Sequence, residues 1–171
     1  MTDKNNVVTR AFQFDRVEGT QADVYDLSVS SETPVLVRDY NTGELYYEIL
    51  EHTDQAIDMS WINGGSAPIM VDHRRDSEGM IGVIDRAYIQ DKKLRVTMRF
   101  GESELAQMIR KDVDALVRKS VSISGPIFKS VHTSEVIDGV PVRRVTSWKP
   151  LETSVVSIPA DQSGVGFGRE N

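Results

Sequence analysis

The clearest pattern in the chain is an alternation of apolar and polar residues between positions 81 and 100. A period of two residues is typical of a strand with one buried face, and a polar segment over 90–93 separates the two halves. We therefore predict an antiparallel β-hairpin with one buried face. Asp85 is an exception to the pattern, and the apolar positions are Ile81, Val83, Ala87, Ile89, Leu94, Val96, Met98 and Phe100.

Residues 102–119 carry apolar side chains at helical spacing instead. This period predicts an amphipathic helix with one apolar face. Glu102 and Glu104 lie at its positive end, and Arg118 and Lys119 lie at its negative end, where each charge stabilises the helix dipole. The apolar stripe consists of Leu105, Met108, Ile109, Val113, Leu116 and Val117.

Short apolar segments on both sides of that helix predict further strands, and Asp138-Gly139 favours a two-residue hairpin turn. Gly125-Pro126 is expected to interrupt one of these strands. Strands do not alternate regularly with helices, so we expect an α+β fold that is mostly antiparallel β, with a barrel-like sheet and packed helices. The segments lie within 22–37, 44–50, 67–71, 120–129, 135–142 and 155–158.

A length of 171 residues fits one domain. Residues 1–20 have few apolar positions and no period, so we expect a flexible N-terminal lead-in. One domain over 21–169 and a tail at 170–171 complete the expected organisation.

Composition excludes several classes of function. Twenty Lys and Arg against 26 Asp and Glu give a net charge of −6, so neither nucleic acid nor an anionic membrane is an expected partner. The chain has no cysteine, which removes disulfides, thiolate metal sites and cysteine nucleophiles. No apolar run approaches the roughly 20 residues of a membrane span, and the start is too polar for a signal peptide. We expect a soluble intracellular domain.

Three histidines are candidates for chemistry. His73 follows the apolar run 67–71 and precedes a charged loop, which places an imidazole at the rim of a strand, where a general base is rigid and half-exposed. His132 lies in a polar segment and is expected to be solvated, whereas His52 follows a strand and fits either a structural or a functional role. No pair has the helical spacing of metal ligands, so we expect neither a metal nor a cofactor.

Ser120, Ser122 and Ser124 fall on one parity of a strand directly after the helix. A nucleophilic serine needs a base within reach and donors for the oxyanion, and Gly125 permits a close backbone approach at this point. Spacing alone favours the simpler interpretation of a polar outer face on an edge strand. The segment also lacks the nucleophile elbow of α/β-hydrolases.

Glu152 lies between Leu151 and an apolar strand. Such a carboxylate fits either the orienting member of a catalytic triad or a salt-bridged residue at the rim. Arg143 and Arg144 could add positive potential near an oxyanion. Adjacent strand residues face opposite ways, however, so at most one of them can point into a site.

Several segments, taken in this order, resemble the prohead maturation proteases of tailed phages, which are similar in fold to the herpesvirus assembly proteases. The resemblance extends over nearly all of the chain after about residue 20. It includes a histidine motif, a serine motif after the helix and the glycine-rich residues 164–169. The segments that carry it are 28–35, 48–52, 67–73, 81–84, 121–123 and 148–161.

The resemblance implies a serine endopeptidase that acts in the host cytoplasm, inside the assembling prohead. Its implied partners are the major capsid protein and a scaffolding protein or segment, and the protease itself is a further implied substrate. Carried over by position, Ser122 is the nucleophile, His73 the general base and Glu152 the orienting carboxylate. The herpesvirus enzymes work as dimers, so a homodimer is expected, with the helix over 102–119 as the candidate interface.

One departure from the family leaves alternatives open. The family usually has glycine two residues after the nucleophile, where this chain has Ser124. Ser124 could itself be the nucleophile, and His52 or His132 could replace Glu152 as the third member. The remaining alternative is an inactive capsid-assembly or scaffold-binding module on the same fold.

Overall fold

The computed structural model describes residues 7–13 and 24–157. Within these residues the chain forms ten strands and one helix, which confirms a mostly antiparallel β fold. In chain order the elements are β1 (Val7–Gln13), β2 (Tyr25–Ser31), β3 (Val35–Arg38), β4 (Leu45–Leu50), β5 (Pro68–Val71), β6 (Met80–Gln90), β7 (Lys93–Phe100), α1 (Glu104–Asp114), β8 (Ser120–Ile137), β9 (Val140–Trp148) and β10 (Glu152–Val155).

The strands follow the order β2-β7-β6-β5-β10-β8-β9-β4-β3, with β1 paired to β8 beside this path. Parallel pairing joins β5 to β10 and β4 to β9, and the other pairs are antiparallel. In the described part of the chain no pairing joins the two ends of the path, so the sheet is open and the expected barrel is wrong. The first half of β8 pairs with β1 and β10 and its second half with β9, so the sheet branches rather than closing.

The expected packed helices are also wrong, because the described residues contain a single helix of 11 residues. Ser103 caps its start by accepting a hydrogen bond from the Ala106 amide at 3.2 Å. Its end comes earlier than the sequence pattern predicts, since Leu116 takes a left-handed backbone with φ of 58°. Leu116 and Val117 are therefore exposed instead of continuing the apolar stripe. The buried face of the helix consists of Ala106, Ile109 and Val113.

Both predicted hairpins are confirmed. Asp91 and Lys92 turn between β6 and β7, and Asp138 and Gly139 turn between β8 and β9, all with positive φ. A bulge after Ile84 changes which β6 residues face the core, so Ile84 is buried although the simple alternation predicts Val83.

The sequence pattern predicts that Gly125 interrupts β8, and this is wrong, because β8 continues through Gly125. The glycine instead allows β8 to pass close to the segment before β10. A Cβ atom at Gly125 would lie 1.8 Å from the Lys149 carbonyl oxygen. Leu151 then donates its amide to the Ser124 carbonyl at 2.9 Å, which fixes where β10 begins. This close approach sets the register of β10 against β8.

The chain termini are described only in part. β1 lies within the expected lead-in and pairs with β8, with Val7 opposite Pro126 and Gln13 opposite Ser120. The strand predicted over 155–158 is β10, which begins at Glu152, and residue 158 lies outside the described residues together with the glycine-rich segment and the tail. No helix in the described ranges is long and apolar enough to cross a membrane.

Candidate active site

Three neighbouring strands bring the predicted site residues together. β10 lies between β8 and β5, with Ser154 directly opposite Ser122 and Glu152 opposite Ser124 on β8. Opposed residues of an antiparallel pair share one face of the sheet. β5 runs parallel to β10, and the chain leaves it at the turn that carries His73. Ser122 and Glu152, predicted from separate parts of the sequence, therefore lie on one face, and the turn that carries His73 follows the strand next to β10.

The turn that carries His73 has an uncommon backbone conformation. Asp72 and His73 have φ values of 46° and 56°, a left-handed region that costs non-glycine residues about 1–3 kcal/mol each. Neighbouring strands hold this conformation in place. The Asp72 amide donates to the Val155 carbonyl at 3.0 Å, and the Asp72 carboxylate accepts from the Ser157 amide at 2.7 Å. Such strain at a fixed turn is typical of functional sites.

His73 and Glu152 form a short, mostly buried contact. The imidazole Nδ1 lies 2.6 Å from Glu152 Oε1, and the two side chains are 28% and 4% exposed. An ionised carboxylate only accepts hydrogen bonds, so Nδ1 carries a proton, and in the neutral imidazole Nε2 then carries the lone pair. This is the tautomer that a histidine needs to act as a general base through Nε2.

Ser122 and His73 each present a buried polar atom without a partner in the protein. Ser122 is fully buried, and neither its Oγ nor the His73 Nε2 makes a hydrogen bond. Most buried polar atoms in proteins are paired, so two unpaired atoms at one site need an explanation. A serine hydroxyl and an imidazole lone pair that are both uncommitted are the groups that nucleophilic catalysis uses.

Ser124 has a different environment from Ser122. Its Oγ accepts a hydrogen bond from the guanidinium Nη2 of Arg75 at 2.9 Å, and Arg75 also lies 3.9 Å from Glu152 Oε1. A guanidinium cannot accept a proton, so this contact does not activate Ser124.

Arg75 is a site residue that sequence reasoning missed. Its neighbour Arg74 turns instead to Asp76 and Glu78 in the loop, at 3.4 and 3.2 Å. The sequence shows only two adjacent arginines after His73, and nothing in that pair indicates which one faces the site.

The other two histidines lie away from these groups. His52 is buried, with Nδ1 at 2.8 Å from the Leu50 carbonyl and Nε2 at 2.8 Å from Ser30 Oγ. Burial lowers the pKa of His52 below its ordinary value. His132 is exposed in the distal half of β8, opposite Arg143. Both His52 ring nitrogens are already hydrogen-bonded, and His132 lies in the half of β8 that pairs with β9. Of the three histidines, His73 is the one that contacts Glu152 and Ser154, the β10 residues opposite Ser124 and Ser122.

The two arginines considered from sequence serve other contacts. Arg143 binds Asp39 at 2.9 Å and lies over the Tyr46 ring, and Arg144 binds Glu135 at 2.7 Å. Neither arginine makes one of these contacts with a residue of the site. Among the described residues, no three histidine, aspartate or glutamate side chains are grouped so as to hold a metal ion.

Comparison with solved structures finds a protein with a similar fold. The chain matches the bacteriophage T4 capsid assembly protease gp21 with a TM-score of 0.58, over 90% of this chain and 98% of that one. The chain has the fold of a phage capsid assembly protease. The two sequences are 11% identical, so the likeness is one of fold, and at that level it confirms the resemblance found in the sequence.

A sequence relative of the chain is named for the capsid itself. The chain is 37% identical over 124 residues to the major capsid protein of Halomonas phage phiHAP-1. The match covers 71% of this chain and 20% of that protein, so the chain spans about a fifth of the length of the curated relative. No model of a known protein family matches the chain.

Proposed function

We propose that the chain is a serine endopeptidase of phage prohead maturation, with Ser122 as nucleophile, His73 as general base and Glu152 as orienting carboxylate. One observation carries this assignment. Glu152 holds the proton of His73 on Nδ1 at 2.6 Å, which leaves Nε2 free on the face where Ser122 has an unpaired hydroxyl. The fold of a capsid assembly protease supports the same reaction class.

The proposed reaction follows from these positions. Ser122 Oγ attacks the carbonyl carbon of a peptide bond while His73 Nε2 takes its proton, and Glu152 stabilises the imidazolium. When the carbon–nitrogen bond breaks, His73 gives the proton to the leaving amine. Water then attacks the ester on Ser122 while His73 takes a proton from it, and when the ester bond breaks His73 returns that proton to Ser122 Oγ and the acid product leaves. Arg75 binds Ser124 on the same face of β8, and we propose it as the cation that lowers the energy of the negative charge developing on the attacked carbonyl.

The alternative nucleophile, Ser124, has less support. Its hydroxyl accepts a hydrogen bond from Arg75, and its cross-strand neighbour is the acceptor Glu152 rather than a base with a free lone pair. The register of β8 thus favours Ser122.

A non-catalytic capsid-assembly or scaffold-binding module is the second candidate function. The complete burial of Ser122 favours it, because a nucleophile needs access to substrate. The two candidates differ in what happens when the Ser122 hydroxyl is removed. A module keeps its function, whereas a protease loses it.

The proposed partners are the major capsid protein and a scaffolding protein or segment. The sequence relative carries the name of a capsid protein, and the structural neighbour is a protease of capsid assembly. We place the activity inside the assembling prohead in the host cytoplasm, with the chain itself as a further substrate.

A homodimer through α1 belongs to the same proposal. The outer face and the end of the helix expose Met108, Leu116 and Val117, which are 49%, 65% and 70% accessible. Sedimentation across the active concentration range tests it. A monomer throughout that range would exclude the dimer.

Co-expression with the capsid protein of the same phage tests the proposed function. Intact mass is read for the unmodified chain and for Ser122→Ala, Ser124→Ala and Ser134→Ala, the last a control at an exposed β8 serine. We expect cleavage to be lost only in Ser122→Ala. Loss only in Ser124→Ala would move the nucleophile by two residues. Particle assembly without any cleavage would support the binding module.

A further inference from the structure

Ser154 is a buried serine in β10 that lies directly opposite Ser122. Its hydroxyl makes two hydrogen bonds inside the site. It accepts from the backbone amide of His73 at 3.1 Å and donates to Glu152 Oε2 at 2.9 Å. A single hydroxyl therefore connects the backbone of the proposed base to the carboxylate that orients its ring.

We propose that Ser154 is a positioning residue for the Ser122–His73–Glu152 site, an inference that rests on the proposed function. His73 has a left-handed backbone, which persists only where neighbouring groups hold it. The hydrogen bond from the His73 amide to Ser154 is one of those restraints.

The same hydroxyl also restrains the carboxylate. The terminal torsion of a glutamate side chain is soft, so a second contact is needed to fix the plane of the group. Glu152 uses Oε1 for His73 and Oε2 for Ser154, and hydrogen bonds to a charged acceptor are the stronger kind. With Ser154 in place, the oxygen that faces Nδ1 is held in one position.

Ser154 does not compete with Ser122 as a nucleophile. Its proton is committed to Glu152 and its oxygen accepts from the His73 amide, whereas the Ser122 hydroxyl has no partner. The adjacent Thr153 is equally buried but has no partner for its hydroxyl, so it provides a matched control on the same strand.

The test measures the rate at which a fluorophosphonate labels Ser122, followed by intact mass, and needs no peptide substrate. In that reaction a bond forms between Ser122 Oγ and phosphorus, the phosphorus–fluorine bond breaks, His73 takes the proton and fluoride leaves. Ser154→Thr and Ser154→Val are compared because the two side chains have nearly the same size and only threonine keeps the hydroxyl.

We expect Ser154→Val and Ser154→Ala to label roughly 10- to 100-fold more slowly, which corresponds to the loss of hydrogen bonds to a charged group. Ser154→Thr should label within a few-fold of the unmodified chain, and Thr153→Val should label at the same rate. The low-field proton resonance of His73 Nδ1–H should broaden or vanish in the valine and alanine variants and persist in the threonine variant.

Equal labelling rates for Ser154→Thr and Ser154→Val would overturn the positioning role, since the hydroxyl would then not matter. Loss of folding in both Ser154→Ala and Ser154→Val, with Ser154→Thr folded, would overturn it as well, because the hydroxyl would hold the fold rather than the site. Failure of the proposed function gives a different result, in which the unmodified chain is not labelled or Ser122→Ala is labelled as fast as the unmodified chain.

Discussion

Replacing Glu152 with glutamine tests whether the carboxylate sets the tautomer of His73. Glu152 is 4% exposed and places Oε1 at 2.6 Å from Nδ1, while Oε2 accepts from Ser154 at 2.9 Å. In Glu152→Gln the amide oxygen satisfies the Ser154 donor, so the NH₂ group faces Nδ1. Nδ1 must then accept, which moves the ring proton to Nε2.

A proton on Nε2 removes the lone pair that takes the Ser122 proton in the proposed reaction. The analogous change of the triad aspartate to asparagine in serine proteases costs about 10⁴-fold in rate through the same wrong tautomer. We expect a similar loss in the rate of Ser122 labelling by a fluorophosphonate, or about 5 kcal/mol in activation free energy. Charge is removed without loss of shape, so the variant should stay folded.

The assay follows the labelled mass against time for Glu152→Gln and for the control Glu135→Gln. Glu135 pairs with Arg144 on the distal half of the sheet, and that hydrogen bond holds the pKa of Glu135 below its ordinary value. The control should label normally. A Glu152→Gln rate within threefold of the unmodified chain would refute the argument, and a larger loss in His52→Gln or His132→Gln would restore those histidines as third members.

Three further predictions concern charge and stability. Burial lowers the pKa of His52 from 6.5, so the unfolded chain takes up a proton first and the free energy of unfolding falls as pH drops below about 6.5. Urea titrations at pH 7 and pH 5 should show this loss of stability, and His52→Gln should show a smaller loss. An equal loss in His52→Gln would contradict the prediction. Arg75→Gln should slow Ser122 labelling by about tenfold, because it removes a positive charge bound to Ser124 on the same face of β8, whereas Arg74→Gln should not. Equal rates for the two variants would show that Arg75 does not stabilise the developing negative charge. Asp26 is buried against Arg95 and accepts a hydrogen bond from Tyr88 at 2.5 Å. Asp26→Ala should therefore lower the free energy of unfolding by about 3 kcal/mol in urea titrations. A change below about 1 kcal/mol would show that the Asp26–Arg95 pair does not stabilise the fold.

The sequence predicts the individual strands and turns of this fold better than it predicts whether the sheet closes into a barrel. The hairpins at Asp91-Lys92 and Asp138-Gly139 have their signals within a few residues, and both form. Whether a sheet closes depends on which strands share partners, and the 18-residue β8 divides its length between two sets of neighbours. Nothing in the alternation of apolar residues encodes that division.

The helix ends earlier than its apolar period predicts, and β1 lies within the residues expected as a lead-in. Leu116 and Val117 continue the apolar period, but the left-handed backbone at Leu116 ends the helix regardless of that period. β1 has too short a pattern to be distinguished from a lead-in, and it is defined by its pairing with β8.

The sequence predicts the residues of the candidate site only as far as they resemble a known family. Motifs point to His73, Ser122 and Glu152. The pairing of β10 with β8 puts Glu152 and Ser122 on one face, and His73 binds Glu152. No motif points to Ser154 or Arg75, because their contacts come from the register of β10 and from the path of the loop after His73. Cross-strand neighbours of this kind become visible only when the strands are paired.

β10 has only four residues, yet it joins every group of the proposed site. It carries Glu152 and Ser154, lies beside Ser122, and offers the Val155 carbonyl that holds the turn before His73. One of its two partners is the parallel strand β5, and parallel pairing is slightly the weaker kind. If β10 opened locally, Glu152 and Ser154 would separate from His73 and Ser122, while the β6–β7 hairpin stayed intact. Amide hydrogen exchange along β10 would therefore measure how often the proposed catalytic site is taken apart.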